Sequence, residues 1–229
     1  MNKVYLGIDI GSESVKGVII DDNNNIITSE YLYIEKNSID TSKRLISILR
    51  QKISRNGYKL VSIGTTGVAR KLIGAILGAD VIINEIISHT VGITSLMPNV
   101  RTVVDIGGQD IKIITLKNGK VIDYNIDNLY TLDCEGGLLL EETQEKIIID
   151  NLTDIYKNEK LIGPISVQGG WSKNENIVSC IKELVGESIY IDKMSEFLGA
   201  FGVAIIAKSD KVEFNNYFKE FEKERVLKD

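Results

Sequence analysis

Residues 5–20 of the chain, YLGIDIGSESVKGVII, predict the fold, because they read as an apolar strand, a tight turn and a second apolar strand. Asp9 stands at the strand end, where a carboxylate can hold Mg²⁺ through water. The N–H groups after Gly11 can approach a phosphate closely, and Ser12 or Ser14 can donate a hydrogen bond to it. The turn therefore indicates a phosphate site, but Asp-x-Gly turns are common and one of them is weak evidence.

The same pattern recurs at residues 101–116, RTVVDIGGQDIKIITL. Asp105 takes the place of Asp9, and Lys16 and Lys112 each lie seven residues after the acid of their own hairpin. An internal duplication of this kind is a signal at the level of the fold. Two facing hairpins with an acid and glycines make a clamp for nucleotide phosphates, with Mg²⁺ between them. The second hairpin contributes these candidates: Asp105, Gly107 and Gly108.

The composition is that of an ordinary globular protein. Of 229 residues, 43% are hydrophobic and 26% are charged, and the net charge is −5 with the basic residues scattered along the chain. Neither a nucleic acid nor an anionic membrane is therefore expected as a partner. No apolar run reaches the ~18 residues of a membrane span, and a strand begins by Val4, so no membrane segment or signal peptide is expected. Two cysteines make no disulfide framework, which favours the cytoplasm.

Hydrophobic periodicity predicts an α/β chain. Strands are predicted at 3–9, 15–20, 26–33, 60–64, 80–83, 101–106, 110–116, 120–126, 164–168 and 188–191. Helices are predicted at 41–53, 70–77, 84–97, 138–149, 174–185 and 194–207. Residues 151–161 read as a short polar segment, and residues 210–229 as a charged tail with one aromatic face.

Two further glycine turns precede predicted helices. The turn at 64–70 is either a plain connection from a strand to a helix or a loop that contacts a nucleotide or a partner. Gly169 and Gly170 stand at a strand end before a helix N-terminus, an arrangement that suits an adenine or ribose contact. A structural Gly-Gly turn is the alternative there.

Glu85 and His89 fall one helical turn apart and therefore share a face of the predicted helix. Glu85 lies over the phosphate site if the helix leads directly into the second hairpin, and it could then orient or deprotonate an attacking water. A capping glutamate and a core histidine are the alternative interpretation.

With its glycine turns in this order, the chain resembles the superfamily of sugar kinases, heat-shock chaperones and actin. The resemblance implies an α/β fold of two ribonuclease-H-like lobes with a nucleotide cleft between them. The lobes are expected at 1–92 and 93–193, the second shortened, followed by a C-terminal helix and charged tail at 194–229.

Four strings resemble a narrower family, the BadF/BadG/BcrA/BcrD-type ATPases that activate 2-hydroxyacyl-CoA dehydratases and benzoyl-CoA reductases. The strings are residues 6–12, residues 99–110, the helix with Glu85 and His89, and residues 199–202. The DIGGQD string within residues 99–110 is the most specific of them.

This resemblance implies ATP or ADP with Mg²⁺ as cofactors and ATP hydrolysis as the activity. Asp9 and Asp105 would organise Mg²⁺ and water, and Gln109 would lie near the terminal phosphate. The expected phosphate contacts are Gly11, Ser12, Ser14, Lys16, Gly107 and Gly108. The expected adenosine contacts are Gly169, Gly170 and Asn174.

The family's activators are homodimers that hold one iron–sulfur cluster between their subunits and pass an electron to a partner dehydratase or reductase. Such a cluster needs four thiolates, two from each chain. Here Cys134 lies in a loop like the family's but nearer to the glycines, and Cys180 lies outside the family's position. The sequence therefore favours Cys134 as a plain loop thiol over a cluster ligand, and both interpretations stay open.

Three functions fit these observations. The first is an ATPase that drives a conformational change in itself or a partner. The second is a small-molecule kinase of the same fold, for which Glu85 and Asp110 are the candidate bases. The third is a nucleotide-binding scaffold without catalysis, which the shortened second lobe makes credible.

Overall fold

The computed structural model describes residues 2–129, 140–158, 161–186 and 189–209, and the chain divides into two compact units. Unit 1 comprises Met1–Ser95 and Phe197–Asp229, and unit 2 comprises Leu96–Glu196. Each unit is built on one five-stranded mixed sheet with helices. The α/β class with two lobes is therefore confirmed.

Unit 1 has the strand order β3-β2-β1-β4-β5. β1 and β2 are buried because the sheet is covered on both faces, which explains their almost continuous apolar sequence. The strands are β1 (Asn2–Ile10), β2 (Ser14–Asp21), β3 (Ile26–Tyr33), β4 (Tyr58–Gly67) and β5 (Val81–Ile82). The helices are α1 (Ser38–Ser54), α2 (Arg70–Leu77), α3 (Glu85–Leu96) and α6 (Leu198–Lys208).

Helix α6 packs on the sheet of unit 1 through glycines. A Cβ atom built on Gly7 of β1 would lie 1.9 Å from the Ala200 carbonyl oxygen, and one on Gly64 of β4 would lie 2.7 Å from Val203. Only glycine allows the helix and strand backbones to approach this closely. The small residues of α6 are therefore packing residues.

Unit 2 has the strand order β10-β9-β6-β7-β8. Its strands are β6 (Thr102–Ile106), β7 (Asp110–Lys117), β8 (Lys120–Asn128), β9 (Ile165–Gln168) and β10 (Ile189–Tyr190). Its helices are α4 (Glu141–Asn158) and α5 (Glu175–Val185), and a 3₁₀ turn spans Ser195–Phe197. Asn174 begins α5, since its side-chain oxygen accepts from the N–H groups of Asn176 and Ile177.

The duplication extends to single hydrogen bonds. In unit 1 the Gly11 N–H donates to the Ser14 carbonyl at 3.0 Å, and in unit 2 the Gly107 N–H donates to the Asp110 carbonyl at 2.9 Å. The two sheets also share their order and directions, with the first hairpin antiparallel and the next strands parallel. The repeat inferred from two short strings is thus a repeat of whole sheets.

Three expectations differ from the structure. Helix α4 runs to Asn158 rather than ending near 149, because Ile148, Leu152 and Ile155 continue one buried face through the polar segment. The division between the units falls after Ser95 rather than after 92, and α6 belongs to unit 1 instead of forming a separate C-terminal segment. The expected tail at 210–229 lies outside the described residues.

Within the described ranges, no helix combines the length and the apolar character needed to cross a bilayer.

Candidate phosphate-binding hairpins

The β1–β2 hairpin places a buried acid opposite a buried lysine. Asp9, 6% exposed, pairs in register with Lys16, and the Lys16 Nζ lies 4.0 Å from the Asp9 Oδ2. The ammonium also lies 5.5 Å from the centre of the Tyr31 ring. In the turn, Ser12 is exposed and Ser14 is buried. The hairpin therefore holds a buried carboxylate, with an ammonium group near it, beside a turn in which Ser12 is exposed.

The β6–β7 hairpin repeats this arrangement with a tighter ion pair. Asp105, 4% exposed, pairs in register with Lys112, whose Nζ lies 3.6 Å from the Asp105 Oδ2. The same ammonium lies 2.5 Å from the Asp110 Oδ1. Gly107, Gly108 and Gln109 form the partly exposed turn between the strands. Both expected acids therefore occupy equivalent places in their own units.

Two glycines, Gly67 and the expected adenosine contact Gly169, pack against the carboxylates of these acids. Gly67 has φ +88°, and a Cβ atom on it would lie 2.6 Å from the Asp9 Oδ1. Gly169 has φ +91°, and a Cβ atom on it would lie 2.7 Å from the Asp105 Oδ1. Gly67 ends β4 and Gly169 directly follows β9, and each of these strands is parallel to the strand of its acid. The need for glycine therefore arises from a contact with a neighbouring strand.

Gly199 in the first turn of α6 packs closely against the Asp9 carboxylate. A Cβ atom on Gly199 would lie 2.8 Å from the Asp9 Oδ2 and 2.8 Å from the His89 Nε2. The two side-chain atoms, both 2.8 Å from one point, lie at most 5.6 Å apart. His89, 5% exposed, is therefore a neighbour of the acid rather than a remote core histidine.

We expect Gly199→Ala to lower the kcat of ATP turnover by roughly 10-fold or more, because the added methyl group displaces the Asp9 carboxylate by a fraction of an ångström. The melting temperature should change little, since alanine favours the helix. Gly57→Ala is the control, because a Cβ atom on Gly57 meets nothing within 4 Å. A Gly199→Ala protein with full kcat would contradict the importance of this contact.

The remaining expected site residues differ in their exposure and in their hydrogen-bond partners. Glu85 begins α3 one turn before His89 and is partly exposed. Gly170 is exposed at the end of β9. Asn174 caps α5 with its side-chain oxygen, and its Nδ2 donates to the Glu145 Oε2 at 2.8 Å, so its side chain already has structural partners. The adenosine role of these residues stays a prediction.

The candidate metal ligands are carboxylates for Mg²⁺ and thiols for an iron–sulfur cluster. Carboxylate oxygens suit Mg²⁺, which in phosphate sites takes one or two carboxylates and completes its shell with phosphates and water. The described residues contain no group of three or more His, Cys, Asp or Glu that could hold a metal ion. Asp9 and Asp105 therefore fit an ion that arrives with a nucleotide.

The described cysteine does not fit a cluster. Cys180 lies on α5 and is half-buried, and burial raises the pKa of its thiol, which disfavours the thiolate that binds iron. Cys134, the expected loop ligand, lies outside the described residues.

Comparison with known proteins agrees with the geometry of the hairpins. The sequence model of the BadF/BadG/BcrA/BcrD ATPase family matches residues 6–129, which is more than half of the chain and includes both hairpins. The chain belongs to the BadF/BadG/BcrA/BcrD ATPase family. The match ends directly after β8, so both acids, both lysines and Gly67 of this family member lie inside it.

Two relatives of this family member have names that state their activity. The activating ATPase of (R)-2-hydroxyglutaryl-CoA dehydratase from Acidaminococcus fermentans is 28% identical over 90% of this chain and 98% of the relative. The activator of 2-hydroxyisocaproyl-CoA dehydratase from Clostridioides difficile is 29% identical over 91% and 96%. The first alignment spans 257 positions, more than the 229 residues here, so the relative has residues at positions where this chain has none.

A solved structure shows the same fold. The activator of the 2-hydroxyisocaproyl-CoA dehydratase from Clostridium difficile with bound ADPNP superposes with a TM-score of 0.73 at 20% identity, covering 96% of this chain and 97% of that one.

Proposed function

We propose that this family member binds and hydrolyses ATP and uses the energy to change its own conformation toward a partner enzyme of the dehydratase or reductase type. The observation that carries the proposal is the repeated hairpin, which places a buried acid, a lysine and an open glycine turn at equivalent positions in both units. The names of the two relatives support the choice of partner.

The acids are assigned to Mg²⁺ and water, and the turns to phosphate. Asp9 and Asp105 would hold Mg²⁺, which when bound neutralises the charge of the phosphates. Main-chain N–H groups in the turns donate to phosphate oxygens, as they do in other glycine-rich loops. The turn residues proposed to line the phosphates are Gly11, Ser12, Ser14, Gly107 and Gly108. The N–H groups of Gly11 and Gly107 already donate to the Ser14 and Asp110 carbonyls, so these two glycines would act by letting the phosphate approach closely.

Hydrolysis needs a water molecule held in line with the terminal phosphate. Glu85 or Asp105 is proposed to orient this water, with Gln109 near the terminal phosphate. The Lys16 and Lys112 ammonium groups lie 4.0 Å and 3.6 Å from the Asp9 and Asp105 carboxylates, so each buried acid has an opposite charge beside it. Gly169 and Gly170 are proposed to contact adenosine.

Electron transfer is not part of the proposal, because Cys134, the cysteine expected as a cluster ligand, lies outside the described residues. A homodimer is proposed from the family resemblance alone. A conformational change that follows hydrolysis needs neither a cluster nor an electron, since lobe and loop movements coupled to nucleotide are a common device.

The purified protein should hydrolyse ATP in the presence of Mg²⁺ with no acceptor molecule added. Release of inorganic phosphate, measured against time, checks this expectation. A kinase of this fold would release little inorganic phosphate without an acceptor and would transfer the phosphoryl group to the acceptor when one is supplied, and a scaffold would bind ATP without turnover. Binding without phosphate release would therefore contradict the ATPase assignment.

A further inference from the structure

Glu13 occupies the turn of the first hairpin at the position that Gln109 has in the second. Main-chain hydrogen bonds establish the equivalence. The Ile34 N–H donates to the Glu13 carbonyl at 2.8 Å, and the Leu129 N–H donates to the Gln109 carbonyl at 2.8 Å. Each residue also lies four positions after the buried acid of its hairpin. The fold thus has a carboxyl group in one turn where the repeat has a neutral amide.

Each hairpin has a second acid after its buried aspartate, and the two hairpins differ in the cation that lies next to this second acid. In the second hairpin this acid is Asp110, and the Lys112 ammonium lies 2.5 Å from its Oδ1. In the first hairpin the second acid is Glu13, and none of the ion pairs in the described part of the chain includes it. The Lys16 ammonium lies instead 4.0 Å from Asp9. Within the described residues, Glu13 therefore lacks the close ion pair that Asp110 has.

One oxygen of this carboxyl group is buried without a partner. Among the described residues, the Glu13 Oε1 has no hydrogen-bond partner. Burial raises the pKa of Glu13, and the charge of Lys16 opposes this only in part. A buried polar atom without a partner is unfavourable, and it indicates either a proton or a ligand that the group receives in use.

The titratable groups around Glu13 come from its own hairpin and from β3. Lys16 acts on it by charge. Tyr31 lies beside the Lys16 ammonium, and Tyr33 pairs in register with Ser14. Beyond β3, Glu35 forms an exposed ion pair with Arg44. Among these neighbours, Lys16 is the cation whose charge favours ionised Glu13.

We propose that Glu13 sets the affinity of the first hairpin for nucleotide phosphate, and that it takes up a proton from solvent when phosphates occupy the turn. The inference rests on the proposed function, because it needs this turn to bind phosphate. Ionised Glu13 and a phosphate repel each other at short distance. The protonated carboxyl group donates a hydrogen bond to a phosphate oxygen instead.

We expect Glu13→Gln to bind Mg·ATP about 10-fold more tightly than the wild type at pH 8, with a difference that shrinks as the pH falls. Calorimetry in buffers of different ionisation enthalpy should show that the wild type takes up more protons on binding than Glu13→Gln does. The control is Glu35→Gln, which makes the same change of charge on an exposed side chain of the same unit and should bind as the wild type. Gln109→Glu, the reciprocal change, should weaken binding.

The thermal stability of the nucleotide-free protein gives a second measurement. Because the folded-state pKa of Glu13 is raised, the stability contributed by this group is present at low pH and is lost as the pH rises through the folded-state pKa. Glu13→Gln should therefore melt at a higher temperature than the wild type at pH 8, and the difference should shrink toward pH 4.

The outcomes separate this inference from the proposed function. Equal affinity and equal proton uptake in the wild type and Glu13→Gln would overturn the role of Glu13 alone. Weaker binding by Glu13→Gln would overturn it as well, because the ionised carboxylate would then be a ligand. If neither folded protein binds Mg·ATP, the proposed function fails and this inference fails with it.

Discussion

Asp9→Asn should lose ATP turnover by about 100-fold or more, because it removes one negative charge from the group assigned to Mg²⁺ and water. The asparagine side chain has nearly the same shape, so the change is mainly electrostatic. Asp105→Asn should have an effect of the same size, since the two acids occupy equivalent places in the repeat. Steady-state phosphate release at saturating Mg·ATP measures the loss.

A loss of stability accompanies this change and must be separated from it. Lys16 and Asp9 have side chains that are only 11% and 9% exposed, so removing the acid leaves a buried ammonium uncompensated. Adding Lys16→Met to Asp9→Asn should restore much of the melting temperature without restoring turnover. Asp154→Asn is the control, because it removes an acid of an exposed pair with Lys157. Turnover by Asp9→Asn within about 10-fold of the wild type would refute the assignment.

Gly202→Ala should destabilise unit 1 by about 3 kcal/mol or more. A Cβ atom on Gly202 would lie 1.8 Å from the Ser88 carbonyl oxygen and 2.8 Å from the Gly92 nitrogen, and both are backbone atoms. Side-chain rotation cannot relieve such an overlap, so helices α3 and α6 must separate. In an unhindered helix the same change would favour folding, because alanine is the better helix former. Thermal or urea unfolding monitored by circular dichroism measures the effect.

Gly78→Ala is the matched control for this prediction. Gly78 ends α2 with φ +62°, and a Cβ atom on it meets nothing within 4 Å. Its replacement should cost about 1 kcal/mol through the backbone conformation alone. If Gly202→Ala were no less stable than Gly78→Ala, α3 and α6 would not be in backbone contact.

Much of the fold could be predicted because its signals are local. The two strands of each hairpin are apolar runs, and an acid followed by a glycine turn separates them. Helix α2 begins and ends at the residues expected, Arg70 and Leu77, because Gly78 supplies the left-handed conformation that ends it. The sequence predicts helix α4 too short, because residues 151–158 are mostly polar. The buried face that continues into this segment depends on a few residues, Ile148, Leu152 and Ile155.

The surroundings of Asp9 could not be predicted in this way. Gly67 and Gly199 are needed because their Cβ positions fall on the Asp9 carboxylate, a condition that depends on how β4 and α6 pack on β1. Nothing in the sequence near residue 199 states that its helix packs on the first sheet. Glu13 likewise reads as an ordinary turn residue until the repeat aligns it with Gln109.

The assignment of α6 to unit 1 also has a consequence for synthesis on the ribosome. The face of β1 and β4 that contains Gly7 and Gly64 receives its covering helix only after all of unit 2 has been translated. Until then the nascent chain exposes an apolar, glycine-lined sheet face, the kind of surface that chaperones bind and that favours aggregation. A chain truncated before Leu198 would keep this face uncovered permanently, so unit 1 is completed only by a helix that follows unit 2 in the sequence.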